Sequence, residues 1–129
     1  MILSIDPGKD KCGLAVLDES GSVFERKLIA RSAISEQVPL LASKYGISII
    51  VIGKSSFGKM IEKELMKTEI KASFIFVPEY NSTREARTRY WRENKPRGWR
   101  RFLPAGLRTP PQPVDDYAAV ILGERYING

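Results

Sequence analysis

The sequence predicts an α/β domain built on a mixed five-stranded sheet: a three-strand antiparallel meander plus two parallel strands, flanked by helices. Three observations carry this expectation. The first thirty residues hold three short apolar runs separated by tight-turn residues. Two helical repeats of apolar residues then alternate with two compact β-rich runs. The chain closes on a further segment of helical periodicity. A length of 129 residues suits one domain spanning 1–129, and 43% hydrophobic residues suffice for an ordinary core.

Each element has a local reason. Met1–Ile5 is apolar, and Pro7-Gly8 ends it as a turn. Gly13–Leu17 reads as the second strand, Asp18–Ser22 as a turn with solvated acids, and Val23–Ile29 as the third strand. Over Ile34–Tyr45, Ile34, Val38, Leu41 and Tyr45 recur at close to helical spacing, and Gly46 is placed to end that helix. Ile47–Ile52 is dominated by β-branched residues and reads as a strand buried on both faces. Ser56–Lys67 reads as a helix with Phe57, Ile61 and Leu65 on one stripe, and Phe74–Val77 as a strand stopped by Pro78. Ser82-Thr83-Arg84-Glu85 is a capping box that opens a helix to about Glu93. Five prolines and two glycines make Lys95–Pro113 a loop. Val114–Ile127 reads as the closing helix, with Tyr117, Val120, Ile121 and Tyr126 as its apolar contacts.

Composition excludes whole classes of chemistry. Histidine is absent, which removes imidazole acid/base catalysis, Ser-His and Cys-His nucleophiles, and His-ligated zinc or haem. The single cysteine, Cys12, excludes an internal disulfide and a Cys-rich metal cluster. What remains is carboxylate, lysine, hydroxyl or hard-metal chemistry, for which magnesium or manganese is the fitting ion. No apolar run spans a bilayer and the N-terminus lacks a signal-peptide pattern, so a cytoplasmic protein without a membrane partner is expected.

Charge is concentrated. Residues 84–108 hold nine Lys and Arg against two Glu, a local +7 in a chain of net +6, so the rest carries −1. Such a cluster is the footprint of a phosphate-backbone partner. Arg84, Arg87, Arg92, Arg97, Arg100 and Arg101 are its candidate contacts, within a basic Arg/Pro-rich helix-loop over 84–113. Tyr90, Trp91, Trp99 and Phe102 are interleaved with them, and would either stack on unpaired bases or pack the loop onto the core.

Three acids stand at element ends: Asp6 after the first strand, Glu79 after the last, and Asp115 with Asp116 opening the final helix. Metal-dependent phosphodiester cleavage needs carboxylates that converge from separate elements. The same residues have plainer readings, since Asp-Pro-Gly is a common turn and acids are favoured at helix N-termini. Gly53–Lys59 fits G-x-x-x-x-G-K between a strand and a helix, the context of a phosphate-binding loop. Met60 stands where that loop needs Ser or Thr. Lys54, Ser55 and Lys59 are alternatively candidates to touch a nucleic-acid phosphate.

Three segments, in order, resemble a known group. Ile2-Leu3-Ser4-Ile5-Asp6-Pro7-Gly8 with Gly13-Leu14-Ala15-Val16 resembles the opening of RuvC-type Holliday junction resolvases and of the YqgF family, linked to pre-16S rRNA processing. Val77–Ala86 resembles the YqgF motif Asp-Glu-Arg-(apolar)-Ser/Thr-Thr-x-Glu-Ala, and Val114–Leu122 its Val-Asp-x-x-Ala-Ala helix. The resemblance implies an RNase H-like fold and a two-metal nuclease using Mg²⁺ or Mn²⁺. It implies metal-binding acids at Asp6, Glu79 and Asp115, with Asp116 a second candidate; Asp6 would bridge two ions. It implies a structured RNA or branched DNA partner, with a homodimer as one arrangement. Pro78 and Tyr80 depart from the motif, replacing its Asp and Arg. Two other functions stay open: a catalytically inactive nucleic-acid-binding module of the same fold, and a small nucleotide-binding protein using the Gly53–Lys59 loop.

Overall fold

The computed structural model describes residues 1–79 and 115–128, excepting the side chains of 115–117. Its elements are β1 (Ile2–Asp6), β2 (Lys11–Leu17), β3 (Val23–Ala30), a 3-10 turn (Arg31–Ala33), α1 (Ile34–Tyr45), β4 (Ile49–Gly53), α2 (Ser56–Met66), β5 (Ser73–Val77) and α3 (Asp115–Asn128). The sheet order is β3-β2-β1-β4-β5. β1 pairs antiparallel with β2 and parallel with β4, so it is the central strand. β3 extends the meander, and β5 adds in parallel beyond β4. This is the mixed sheet the sequence predicts. The helix expected from Ser82 and the loop over 95–113 lie outside the described residues.

Strand alternation builds two core layers. Leu3, Ile5, Leu14, Val16, Ile50 and Ile52 face α1 and α2, where Ile34, Val38, Leu41, Ile61 and Leu65 meet them. The opposite face belongs to α3. Ile2, Val51 and Val77 pack on Leu122, and Ala15 and Leu17 pack on Ala119 and Val120. α3 comes close because its contact residue is glycine: a Cβ at Gly123 would lie 2.8 Å from Leu17 Cδ1 and 3.3 Å from Ser4 Cβ.

Several local expectations shift. β2 starts at Lys11 rather than Gly13, because Lys11 and Cys12 find partners in Ala30 and Ile29. β4 starts at Ile49, since Ile47 still donates its amide to Ala42 O at the end of α1. Phe57 is not core; it is 37% exposed, and the buried stripe of α2 is Gly58, Ile61 and Leu65. Asp18 is more than a solvated turn acid. Its Oδ1 accepts from the Ser20 and Ser22 amides at 2.9 and 3.0 Å and from the Ser20 hydroxyl, and these bonds lower its pKa. Gly46 ends α1 as expected, at φ 63° and ψ 50°.

Polar contacts fix the helices to the sheet. Tyr45 Oη donates to Glu25 Oε1 at 2.8 Å, joined by Lys44 at 3.3 Å, and ties the end of α1 to β3. Arg31 reaches Glu64 at 2.8 Å and ties the start of α1 to α2.

Candidate active site

Asp6 is the last residue of the central strand, opposite Gly13 on β2. It shares the α3 face with Ile2 and Ser4, because side chains two apart on a strand point the same way. Glu79 lies two residues beyond Val77, the last residue of β5, and Val77 packs on that same face. β4 stands between β1 and β5, so the two carboxyl groups arise from strands roughly 10 Å apart. They nevertheless meet: Glu79 is hydrogen-bonded to Asp6. The space between them is opened by Gly53, the last residue of β4, whose absent side chain is replaced by the Glu79 carboxyl.

The surroundings disfavour charge on Glu79. Burial pushes its pKa up from the ordinary carboxylate value, against the weaker, opposite pull of the Asp6 hydrogen bond. Two carboxyl groups hydrogen-bond only when one carries a proton, so full charge on both Asp6 and Glu79 is opposed in this arrangement. Glu79 Oε1 is buried without a hydrogen-bond partner. A hard divalent cation fits such a donor set, because it would offset the repulsion between two charged carboxylates and engage the orphaned oxygen. Among the described residues no group of three or more acidic, Cys or His side chains is gathered, so the described set is this pair.

The backbone of α3 brings a third candidate position to the same end. Tyr126 and Ile127, near its C-terminus, pack beside Ile2 and Ile49 at the strand starts. Gly123 sits by Ser4, one step further along β1. The helix therefore runs against β1 and starts, at Asp115 and Asp116, towards the Asp6 end. The side chains of these two acids lie outside the described residues. So do Arg84, Arg87, Arg92, Arg97, Arg100 and Arg101.

Lys54 follows β4 directly and is exposed, with its amide donating to Val77 O at 2.8 Å. Lys59 is exposed in the first turn of α2. Both stand at the carboxylate end of the sheet. Ser55 serves the helix instead, since its Oγ accepts from the Gly58 amide at 3.0 Å and caps α2. The phosphate-loop reading meets a geometric obstacle here. Only Lys54 and Ser55 separate β4 from α2, and Gly58 and Lys59 are already helical. Such a connection is too short to wrap a phosphate with successive backbone amides.

Two residues that sequence reasoning missed shape the site. Gly53 gives Glu79 its space. Arg125 Nη1 donates to Pro78 O at 2.8 Å and holds the backbone just before Glu79. In the sequence Arg125 carries only the signal of a cation in a last helical turn.

No family model matches this sequence, nor does any curated protein. Solved structures do resemble it. The chain is similar to Thermus thermophilus RuvC in complex with Holliday junction substrate, with a TM-score of 0.62 and 12% identity over 94% of this chain and 88% of that one. It is similar to a further structure of Thermus thermophilus RuvC, with a TM-score of 0.52 and 10% identity over the same shares. At such low identity the likeness shows the fold alone, and the fold is a five-stranded mixed sheet flanked by helices like that of RuvC.

Proposed function

We propose that this protein is a metal-dependent nuclease that hydrolyses phosphodiester bonds in structured nucleic acid. The observation that carries the reading is the hydrogen-bonded Asp6–Glu79 pair, with its orphaned Oε1, at the strand ends of a RuvC-like sheet. Branched DNA of the Holliday junction type is the first substrate to test, since the similar RuvC structure holds one. The YqgF-like motifs around Glu79 and Asp115 make precursor rRNA the second.

Asp6 and Glu79 would hold Mg²⁺ or Mn²⁺, with Asp115 or Asp116 completing the set from the start of α3. Two such ions supply Lewis acidity towards the scissile phosphate and activation of the attacking water. The chain's own contribution is placement. The central strand fixes Asp6, and the packing around Gly53 and Pro78 fixes Glu79. Lys54 and Lys59 neutralise phosphates next to the acids, and the arginines of 84–101 hold the flanking backbone.

Cleavage of labelled four-way junctions and structured RNA, with Mg²⁺ or Mn²⁺, tests the reading. Wild type is expected to cut at least one of them, and Asp6→Asn to lose about 10²-fold or more in rate while still binding. Equal rates for the two proteins would remove Asp6 from catalysis. Binding without cleavage by wild type would leave a nucleic-acid-binding module.

A further inference from the structure

The two glycines of Gly53-Lys54-Ser55-Ser56-Phe57-Gly58-Lys59 require an explanation once a phosphate loop is set aside. Each stands where a Cβ would collide. At Gly53 a Cβ would overlap Glu79 Oε1 and lie 2.7 Å from both Cδ and Cγ of the same side chain. At Gly58 it would overlap the carbonyl oxygen of Gly53 and lie 3.1 Å from Ile52 Cγ2. The contacts form a chain: α2 rests on β4 at Gly58, and Glu79 rests on β4 at Gly53. The Lys54 amide bond to Val77 O locks β4 and β5 together beside them.

We infer that Gly53 is a positioning residue for the candidate metal site: it is the seat over which Glu79 crosses β4 to reach Asp6, and Gly58 holds that seat against α2. The inference rests on the nuclease reading and deepens it, because it says how an acid from β5 serves a site centred on β1. The topology demands such a seat. β4 separates the two acid-bearing strands, and any side chain at its last position on the α3 face would occupy the path. The two positions differ in what a methyl group would displace. At Gly53 it meets a flexible side chain, so Glu79 moves and the fold stays. At Gly58 it meets backbone, so the junction of β4 and α2 must shift.

Mn²⁺ titration followed by paramagnetic resonance, with thermal melts alongside, tests this on the full chain. Gly53→Ala is expected to keep its Tm within about 3 °C of wild type and to bind Mn²⁺ at least about tenfold more weakly, the scale for a group that orients a metal ligand. Gly58→Ala is expected to lower the Tm by more than Gly53→Ala does. If Gly53→Ala fails to fold, Gly53→Ala/Glu79→Ala decides: it folds when Glu79 is what the methyl group meets, and its failure overturns the inference. Wild-type Mn²⁺ affinity in Gly53→Ala, with affinity lost in Glu79→Gln, overturns the role of Gly53 and leaves the metal site standing. Wild-type affinity in both Glu79→Gln and Asp6→Asn removes the metal site, and the seat with it.

Discussion

At Glu79 the fold works against charge. Burial raises its pKa, and the hydrogen bond to Asp6 offsets this only in part. A raised value means that, over a window of pH, the native state keeps a proton the unfolded chain has released. The corresponding stability is fully present below the ordinary carboxylate value of 4.5 and is lost as pH rises through the folded value. Glu79→Gln stays neutral throughout. In metal-free buffer the variant and wild type are therefore expected to melt together in acid, and the variant to melt higher near neutral pH. If Glu79 holds a metal as proposed, saturating Mn²⁺ is expected to close that gap, because wild type gains more by binding. A wild type that gains on the variant as pH rises would show that the fold favours the charged form. Asp6 and Glu79 are readable in the sequence, because acids just past apolar runs mark strand ends. Gly53 is not, since its role depends on which strand lies between the two acids, and sheet order is a non-local property.

Elements are legible where a local signal sets their limits. Gly46 is one such signal. It lies in the left-handed region at φ 63°, and a Cβ there would meet nothing within 4 Å. A side chain would therefore act through the backbone alone. Gly46→Ala is expected to cost about 1–2 kcal/mol and to lower the Tm by roughly 3–8 °C, with Gly46→Asn losing less. Melting curves that placed alanine above asparagine would contradict this account. Periodicity is less reliable within the first turn of a helix. Phe57 fits a stripe with Ile61 and Leu65 by spacing, yet Gly58 takes the buried place because α2 rests on the Gly53 carbonyl. Pro39 sits inside α1 without ending it; the helix lacks one amide donor there and is carried by the burial of Ile34, Val38 and Leu41.

On the scale of the whole molecule, the positive charge and the candidate acids come from different stretches of chain. The acids belong to the sheet and to α3, whereas the surplus of positive charge belongs to residues 84–108. Replacing Arg97, Arg100 and Arg101 together by alanine is expected to weaken nucleic-acid binding for all sequences alike. The slope of log affinity against log salt should flatten by about two to three, at roughly 0.9 per lost phosphate contact on duplex DNA. Anisotropy titrations of a labelled junction across a salt series read both quantities. An unchanged slope would move the contacts elsewhere. The concentration of charge is plain in the sequence, but its direction relative to Asp6 is not, because the segment has no repeated pattern that fixes its path.

The central position of β1 has a mechanical consequence. Asp6 ends a strand laddered on both sides: it stands opposite Gly13 on β2, and Ile5 just before it stands opposite Ile52 on β4, so moving it disturbs a doubly paired strand. Glu79 follows β5, which ends the sheet order, and is steadied by the Arg125 bond to Pro78. The site thus resembles a calliper with one fixed jaw and one adjustable jaw. In the proposed metal site, adaptation to different ions or phosphate geometries would fall to the side carried by Glu79, while Asp6 would set the fixed point from which it is measured.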